Sequence, residues 1–172
     1  MERDELKRAS YQQKISKVAE CKRYYVDETG INKYLYREYG YGLRGVKVDG
    51  AIPGRKFERV SMVAAQCGDE ILERHEYGGN MNSRLFEFWF MLLLKVVPRG
   101  SVIIMDNAPW HRKKVLTAMA KAAKCRVIFL PPYSPDFSPI ENTWANLKNW
   151  LRHHAKNFTM LSDAIFHYFK SA

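Results

Sequence analysis

SVIIMDNAPWH, residues 101–111, sends four apolar residues straight into Asp106 and Asn107, then into Pro109, Trp110 and His111. A short continuous apolar run is what strands buried on both faces carry, so VIIM reads as a core strand. Asp-Asn after it opens a turn and caps the next helix, because both side chains accept from nearby backbone N–H groups. A helical stretch from about Trp110 to Ala123 leads to a second apolar run, RVIFL (126–130). Strand, helix and strand in that order argue for a parallel α/β layer.

Working outward, Tyr24, Tyr25 and Val26 in CKRYYVDETG favour a strand, which Gly30 ends. KYLYREY (33–39) and RKFERVSMVAAQ (55–66) are further strand candidates, and ILERHEY (71–77) pairs with the latter before GGN breaks it. Met81 to Val97 has a heavily apolar helical pattern closed by Pro98 and Gly100. PPYSPDFSP, a loop with four prolines, precedes a helix from about Ile140 to His154, and an amphipathic helix covers Leu161 to Phe169. Residues 3–20 form a polar helix of good helix formers, expected as an N-terminal linker over 1–20 ahead of one domain over 21–172.

The chain of 172 residues has 28 Lys and Arg against 18 acids, a net charge of +10, which makes a polyanion the first partner to consider. With 47% hydrophobic residues it is a folding sequence. Cys21, Cys67 and Cys125 lack the pairing of a zinc ribbon or disulfide framework, which fits a reducing setting. The N-terminus is charged throughout, unlike a signal peptide. The greasiest run, Leu85 to Val97, contains Glu87 and Lys95 and falls short of the about 20 residues that span a bilayer.

Three acids fall at element boundaries: Asp27 at the end of the first strand, Asp106 at the end of VIIM, and Glu141 in the first turn of a helix. Carboxylates from separate elements can supply the oxygen ligands that hard divalent cations need at a phosphate. Gathered without cations, they would repel and raise one another's pKa. Each also has a structural explanation. Ser138-Pro139-Ile140-Glu141 is a capping-box pattern with Pro at the first helical position, which accounts for Glu141 without chemistry. Strand alternation sends Asp27 and Glu28 to opposite faces, so one of the two faces any site. Ile140, Trp144, Leu147 and Leu151 form the buried stripe of the helix, and Glu141, Lys148 and Arg152 line its border.

VDETG around Asp27, IIMDNAPWH around Asp106 and LPPYSPDFSPIENTW around Glu141, with 34 residues between the last two acids, together resemble the catalytic domain of bacterial insertion-sequence transposases of the mariner-like superfamily. The resemblance covers about residues 22–155. It implies a ribonuclease-H-like α/β fold, a mixed five-stranded sheet flanked by helices, with an antiparallel meander first and the last two strands parallel to the first. It further implies a DDE triad of Asp27, Asp106 and Glu141 holding two Mg²⁺ ions, which Mn²⁺ can replace. Asn107, Pro109 and His111 match the family's D-N-A-x-x-H signature, and Asn107, His111 and Ser138 are expected to shape the site. Ser138 stands where the family often has Asn, and either can cap the helix.

The implied reaction is DNA strand cleavage followed by transfer of the freed 3′-OH to target DNA, without a protein–DNA covalent link. The implied partners are double-stranded DNA, both transposon ends and target, and a second copy of the chain bound on DNA, in a bacterial cytoplasm at the nucleoid. Relatives carry N-terminal helix-turn-helix modules with no counterpart before Asp27, so a separate DNA-binding polypeptide is a further expected partner. Arg112, Lys113, Lys148 and Arg152 are candidate phosphate contacts, as are Arg37, Arg44, Lys47, Arg55, Lys56 and Lys114. Tyr39, Tyr41 and Trp110 could stack on bases, with packing favoured. A stand-alone nuclease of the same fold and a non-catalytic DNA-binding remnant are the competing readings. Zinc is disfavoured, because adjacent His153 and His154 lack ligand spacing.

Overall fold

The computed structural model describes residues 5–32, 44–45 and 58–171. Five strands form one sheet: β1 (Arg23–Asn32), β2 (Arg59–Cys67), β3 (Glu70–Tyr77), β4 (Val102–Met105) and β5 (Arg126–Phe129), in the order β3-β2-β1-β4-β5. β2 and β3 run antiparallel, whereas β4 runs parallel to β1 and β5 parallel to β4. The expected succession of hairpin strands and then alternation is therefore present. The candidate strand 33–39 and the first residues of 55–66 lie outside the described residues, as do Arg37, Tyr39, Tyr41, Lys47, Arg55 and Lys56.

The helices are α1 (Glu5–Ile15), α2 (Ser83–Val96), α3 (Lys113–Ala122), α4 (Ile140–His154) and α5 (Leu161–Ser171). The chain divides into two compact units, Met1–Thr29 with Ser61–Trp144, and Gly30–Val60 with Ala145–Ala172. In the first, alternation along β1 and β4 distributes side chains between two layers. Tyr24, Val26, Ile103 and Met105 pack with Phe86, Trp89, Phe90 and Leu93 of α2 and Leu116 and Ala120 of α3. Val102 and Ile104 face the other way, into a cluster with Tyr11 of α1, Val18 and Leu130. The helix expected as a linker thus docks through Tyr11, whose ring stacks on Phe137 at 5.0 Å. Arg8 beside it makes a two-pronged bond to Asp136, with contacts of 3.1 and 2.6 Å.

All four residues of β4 are buried, as a strand covered on both faces requires. Asn82 caps α2 by accepting from the Leu85 amide at 3.0 Å, and Gly100 turns the chain into β4 at φ +86°, a conformation that favours glycine. In the second unit, the Glu58 carboxylate accepts from the Leu161 amide at 3.1 and 3.2 Å and so caps α5. Trp150 there stacks on His154 at 4.4 Å and on His167 at 5.9 Å.

Several boundaries differ from the sequence expectation: β1 continues through Gly30 to Asn32, which leaves Asp27 inside the strand and not at its end, and α1 spans Glu5–Ile15 instead of 3–20. The helix after Asp106 begins at Lys113 instead of Trp110, because residues 106–111 form a turn. Asp106 Oδ1 accepts from the Ala108 amide at 3.0 Å, and the Ala108 carbonyl accepts from the His111 amide at 2.9 Å. Local side-chain bonding of this kind competes with helix formation.

Candidate active site

Asp27 is carried by β1, next to the pairing of Tyr25 with Ile104 on β4, and Asp106 follows the last residue of β4. Parallel pairing of two central strands therefore brings Asp27, midway along β1, level with Asp106 just beyond the end of β4. Glu141 stands in the first turn of α4, where the Ser138 carbonyl accepts from its amide at 3.1 Å. Ile140 and Trp144, fully buried, hold that turn in place. The three acids line one cleft of about 440 Å³, with Asn107, Pro109, the Leu130–Pro135 loop and Ser138 completing its wall.

The cleft's electrostatics follow from this gathering. Burial, followed by the charges of Glu141, Glu28 and Asp106, lifts Asp27 to about 7. Its Oδ2 accepts from the Trp144 indole at 3.0 Å, which orients the carboxylate. Asp106 goes the other way. Burial pushes its pKa up, but the bonds from His111 and the Ala108 amide, with the imidazolium charge, outweigh that and leave it lowered. Two carboxylates on neighbouring strands thus have opposite tendencies, set by their donors.

The donor types in this cleft are those of a divalent-cation site, although the ligand atoms of Asp27, Asp106 and Glu141 do not all lie within 4.8 Å of one another. The cleft offers carboxylate oxygens, the ligands that hard divalent cations take, and positive charge there would offset the burial and the neighbouring acids that together raise Asp27. Asp27, Asp106 and Glu141 are the cleft carboxylates that would hold such cations.

His111 does not line the cleft. It is buried behind Asp106, with Nδ1 3.2 Å from both the Asp106 carbonyl and Oδ1, and Nε2 3.3 Å from Glu28 Oε1. Burial would lower its pKa, yet the bonds to Asp106 and Glu28 raise it to about 9. Glu28 also accepts from the Trp110 indole at 3.0 Å, so Trp110 packs and bonds inside the protein. Strand alternation indeed divides the Asp27-Glu28 pair. Only Asp27 lines the cleft, and Glu28 serves the opposite face. Sequence reasoning gave Glu28 no role; its adjacency to Asp27, with a Trp-His pair after Asp106, was the available signal. Ligand atoms of Glu28, Asp106 and His111 lie within 4.8 Å of one another, the one such His/Cys/Asp/Glu group among the described residues. A protonated imidazole between two carboxylates already supplies the charge such a group needs.

Among the other expected residues, Asn107 donates from Nδ2 to the Leu130 carbonyl at 2.6 Å and ties the ends of β4 and β5 together. Arg112 is engaged with Glu87 through bonds of 2.6 and 2.5 Å, and Lys113 Nζ lies 5.0 Å over the Phe129 ring. Lys114 and Arg152 are exposed and Lys148 half-buried.

A mixed β3-β2-β1-β4-β5 sheet flanked by helices, with one acid within β1 beside another just after β4, defines the ribonuclease-H-like class. The chain belongs to the DDE superfamily endonucleases, whose family profile matches residues 22–162. Its fold is similar to that of the Mos1 mariner paired-end complex with Mn, at a TM-score of 0.76 and 16% identity over 98% of this chain and 54% of the other. The catalytic domain of Mos1 mariner transposase matches at 0.64 and 13% identity, over 97% and 76% of the two chains. Uncharacterized protein y4pE/y4sA of Sinorhizobium fredii (strain NBRC 101917 / NGR234) is 29% identical over 105 residues, covering 59% of this chain and 65% of its own length. The chain thus spans about half of the Mos1 chain in that paired-end complex.

Proposed function

We propose that this chain is the catalytic domain of an insertion-sequence transposase that cleaves DNA strands and transfers the freed 3′-OH to target DNA. Asp27, Asp106 and Glu141 are its catalytic acids and would hold two Mg²⁺ ions, or Mn²⁺ in their place. The observation that carries this reading is the meeting of the three acids along one cleft, with Asp27 lifted to about 7 by burial first and then by the charges of Glu141, Glu28 and Asp106. Such a cluster is costly to keep for structure alone. Membership of the DDE superfamily endonucleases and a fold shared with Mos1, whose structures include paired-end and strand-transfer complexes, support it.

Divalent cations, when bound, activate the attacking oxygen and neutralise charge on the phosphate and the leaving oxygen. The chain's own residues do the positioning. Trp144 orients Asp27, while His111 and the Ala108 amide orient Asp106. The helical start of α4 presents Glu141 from the third side, and Asn107 fixes the wall of the cleft against β5. Basic side chains, with Lys113, Lys148 and Arg152 foremost, would take the DNA phosphates, and Arg112 would do so in exchange for Glu87. The working assembly would be a dimer on paired ends, with end recognition supplied by a further module or polypeptide, in a bacterial cytoplasm.

The test uses duplexes carrying candidate transposon-end sequences, intact and pre-nicked, in Mg²⁺ or Mn²⁺, with Asp106→Asn as control. Joined products are expected, and the control should yield none. Cleavage without joining would favour a stand-alone nuclease of this family. Binding with neither reaction would leave a DNA-binding remnant.

A further inference from the structure

The dipeptide Asp27-Glu28 sends its second acid away from the cleft, yet Glu28 is almost as enclosed as the core, with 11% of its side chain accessible. A carboxylate so placed must be bonded to be tolerated. Its Oε1 takes two donors, the Trp110 indole at 3.0 Å and His111 Nε2 at 3.3 Å. The other ring nitrogen of His111 reaches Asp106 Oδ1 and the Asp106 carbonyl, both at 3.2 Å. The Phe86 ring, 4.1 Å from the imidazole, closes the remaining side. Asp106 Oδ1 is thereby held by His111 and by the Ala108 amide. Among the described bonds none goes to Oδ2, the oxygen left for the cleft.

We infer that Glu28 is a positioning residue: anchored by Trp110, it fixes the rotamer of Asp106 through His111, so that of two adjacent acids on one strand one lines the cleft and the other braces a second acid from behind. This rests on reading Asp27, Asp106 and Glu141 as the acids that hold divalent cations. A carboxylate–imidazolium–carboxylate chain fixes the ring's orientation, as outer-shell partners of cation-binding groups do. Both donors converge on the same oxygen of Glu28, so an amide oxygen there can keep the arrangement, whereas an apolar side chain cannot.

Titration of the full chain with Mn²⁺, with the free ion monitored by electron paramagnetic resonance, reads affinity without turnover. Glu28→Met keeps the volume and removes the acceptor; Glu28→Gln keeps an oxygen. Mn²⁺ affinity is expected to fall about tenfold in Glu28→Met and to stay within about threefold in Glu28→Gln. Combined with His111→Ala, the Met variant should be no weaker than the worse single variant, because both break one chain of bonds. Wild-type affinity in a folded Glu28→Met, or losses that add, overturns the inference. Pulsed resonance on the unaltered chain with Mn²⁺ bound decides the matter even if Glu28→Met fails to fold. No directly coordinated nitrogen is expected, and finding one makes His111 a ligand and Glu28 part of a cation site, which also overturns it. Asp27→Asn and Asp106→Asn separate the two levels. If both keep wild-type affinity, the parent reading falls and takes this inference with it, whereas if they lose affinity and Glu28→Met does not, the inference alone falls.

Discussion

Asp27 carries the clearest conflict between stability and chemistry. Its carboxyl titrates near 7 in the folded protein against 3.8 ordinarily. Between those values the unfolded chain has released the proton and the native state still holds it, so stability without divalent cations falls as pH rises from about 4 to about 7 and stays low above. Asp27→Asn removes the buried charge and leaves an oxygen for Trp144. The metal-free variant should be more stable than wild type at pH 8 by roughly 1–3 kcal/mol, a deliberately discounted fraction of the full shift, and indistinguishable at about pH 4. Chemical denaturation at the two pH values measures this, and the same variant should show no DNA cleavage. His111 runs in the opposite sense. Held charged to about 9 against 6.5 ordinarily, it contributes stability that is complete below about pH 6.5 and lost as pH climbs through about 9. Its imidazole should remain protonated at pH 7.5 by nuclear magnetic resonance, and the midpoint should fall toward 6.5 in Asp106→Asn.

At the scale of elements, α4 was legible in full because its apolar stripe, Ile140, Trp144, Leu147 and Leu151, is buried as its spacing requires. VIIM was legible because a continuous apolar run leaves no solvent face. The start of α3 was not, since helix propensity from Trp110 onward says nothing of the Asp106–Ala108 bond that holds the turn. Asp106 opens a turn, as Asp-Asn suggests, and lines the cleft from it, but it does not cap α3, whose N-cap is Arg112 without a side-chain bond. Glu28 escaped because alternation gives a face and no partners; the donors arrive from residues 82 and 83 positions away. The first turn of α4 yields a test of how the fold supports Glu141. Ile140→Ala should cost roughly 2–5 kcal/mol in denaturant unfolding, with cleavage falling more steeply than the folded fraction because Glu141 is the next residue. Parallel losses of fold and cleavage would show that this turn has no positional role.

For the whole molecule the governing quantity is charge. A net +10 on 172 residues attracts a polyanion over longer distances than any pair contact, but single cations differ in what they have left to give. Arg112 is already committed to Glu87 by two short bonds, with the Glu87 pKa lowered accordingly, chiefly by the bond from Arg112. Binding DNA through Arg112 means exchanging one anion for another, with little net release of counterions. Lys113, adjacent in sequence, has an aromatic ring beneath it as its described neighbour, and it lies exposed. Lys113→Ala should consequently reduce the slope of log affinity against log salt by about one, and Arg112→Ala by distinctly less. Binding of a short duplex by Asp106→Asn, measured by fluorescence anisotropy from about 50 to about 200 mM salt, gives both slopes without turnover, and overall affinity should drop about a thousandfold across that range if about six phosphates are neutralised. A salt-independent affinity would mean that the positive surface is not where DNA sits. Equal slopes for the two alanine variants would mean that the Glu87 pair opens freely and that Arg112 is as available as its neighbour.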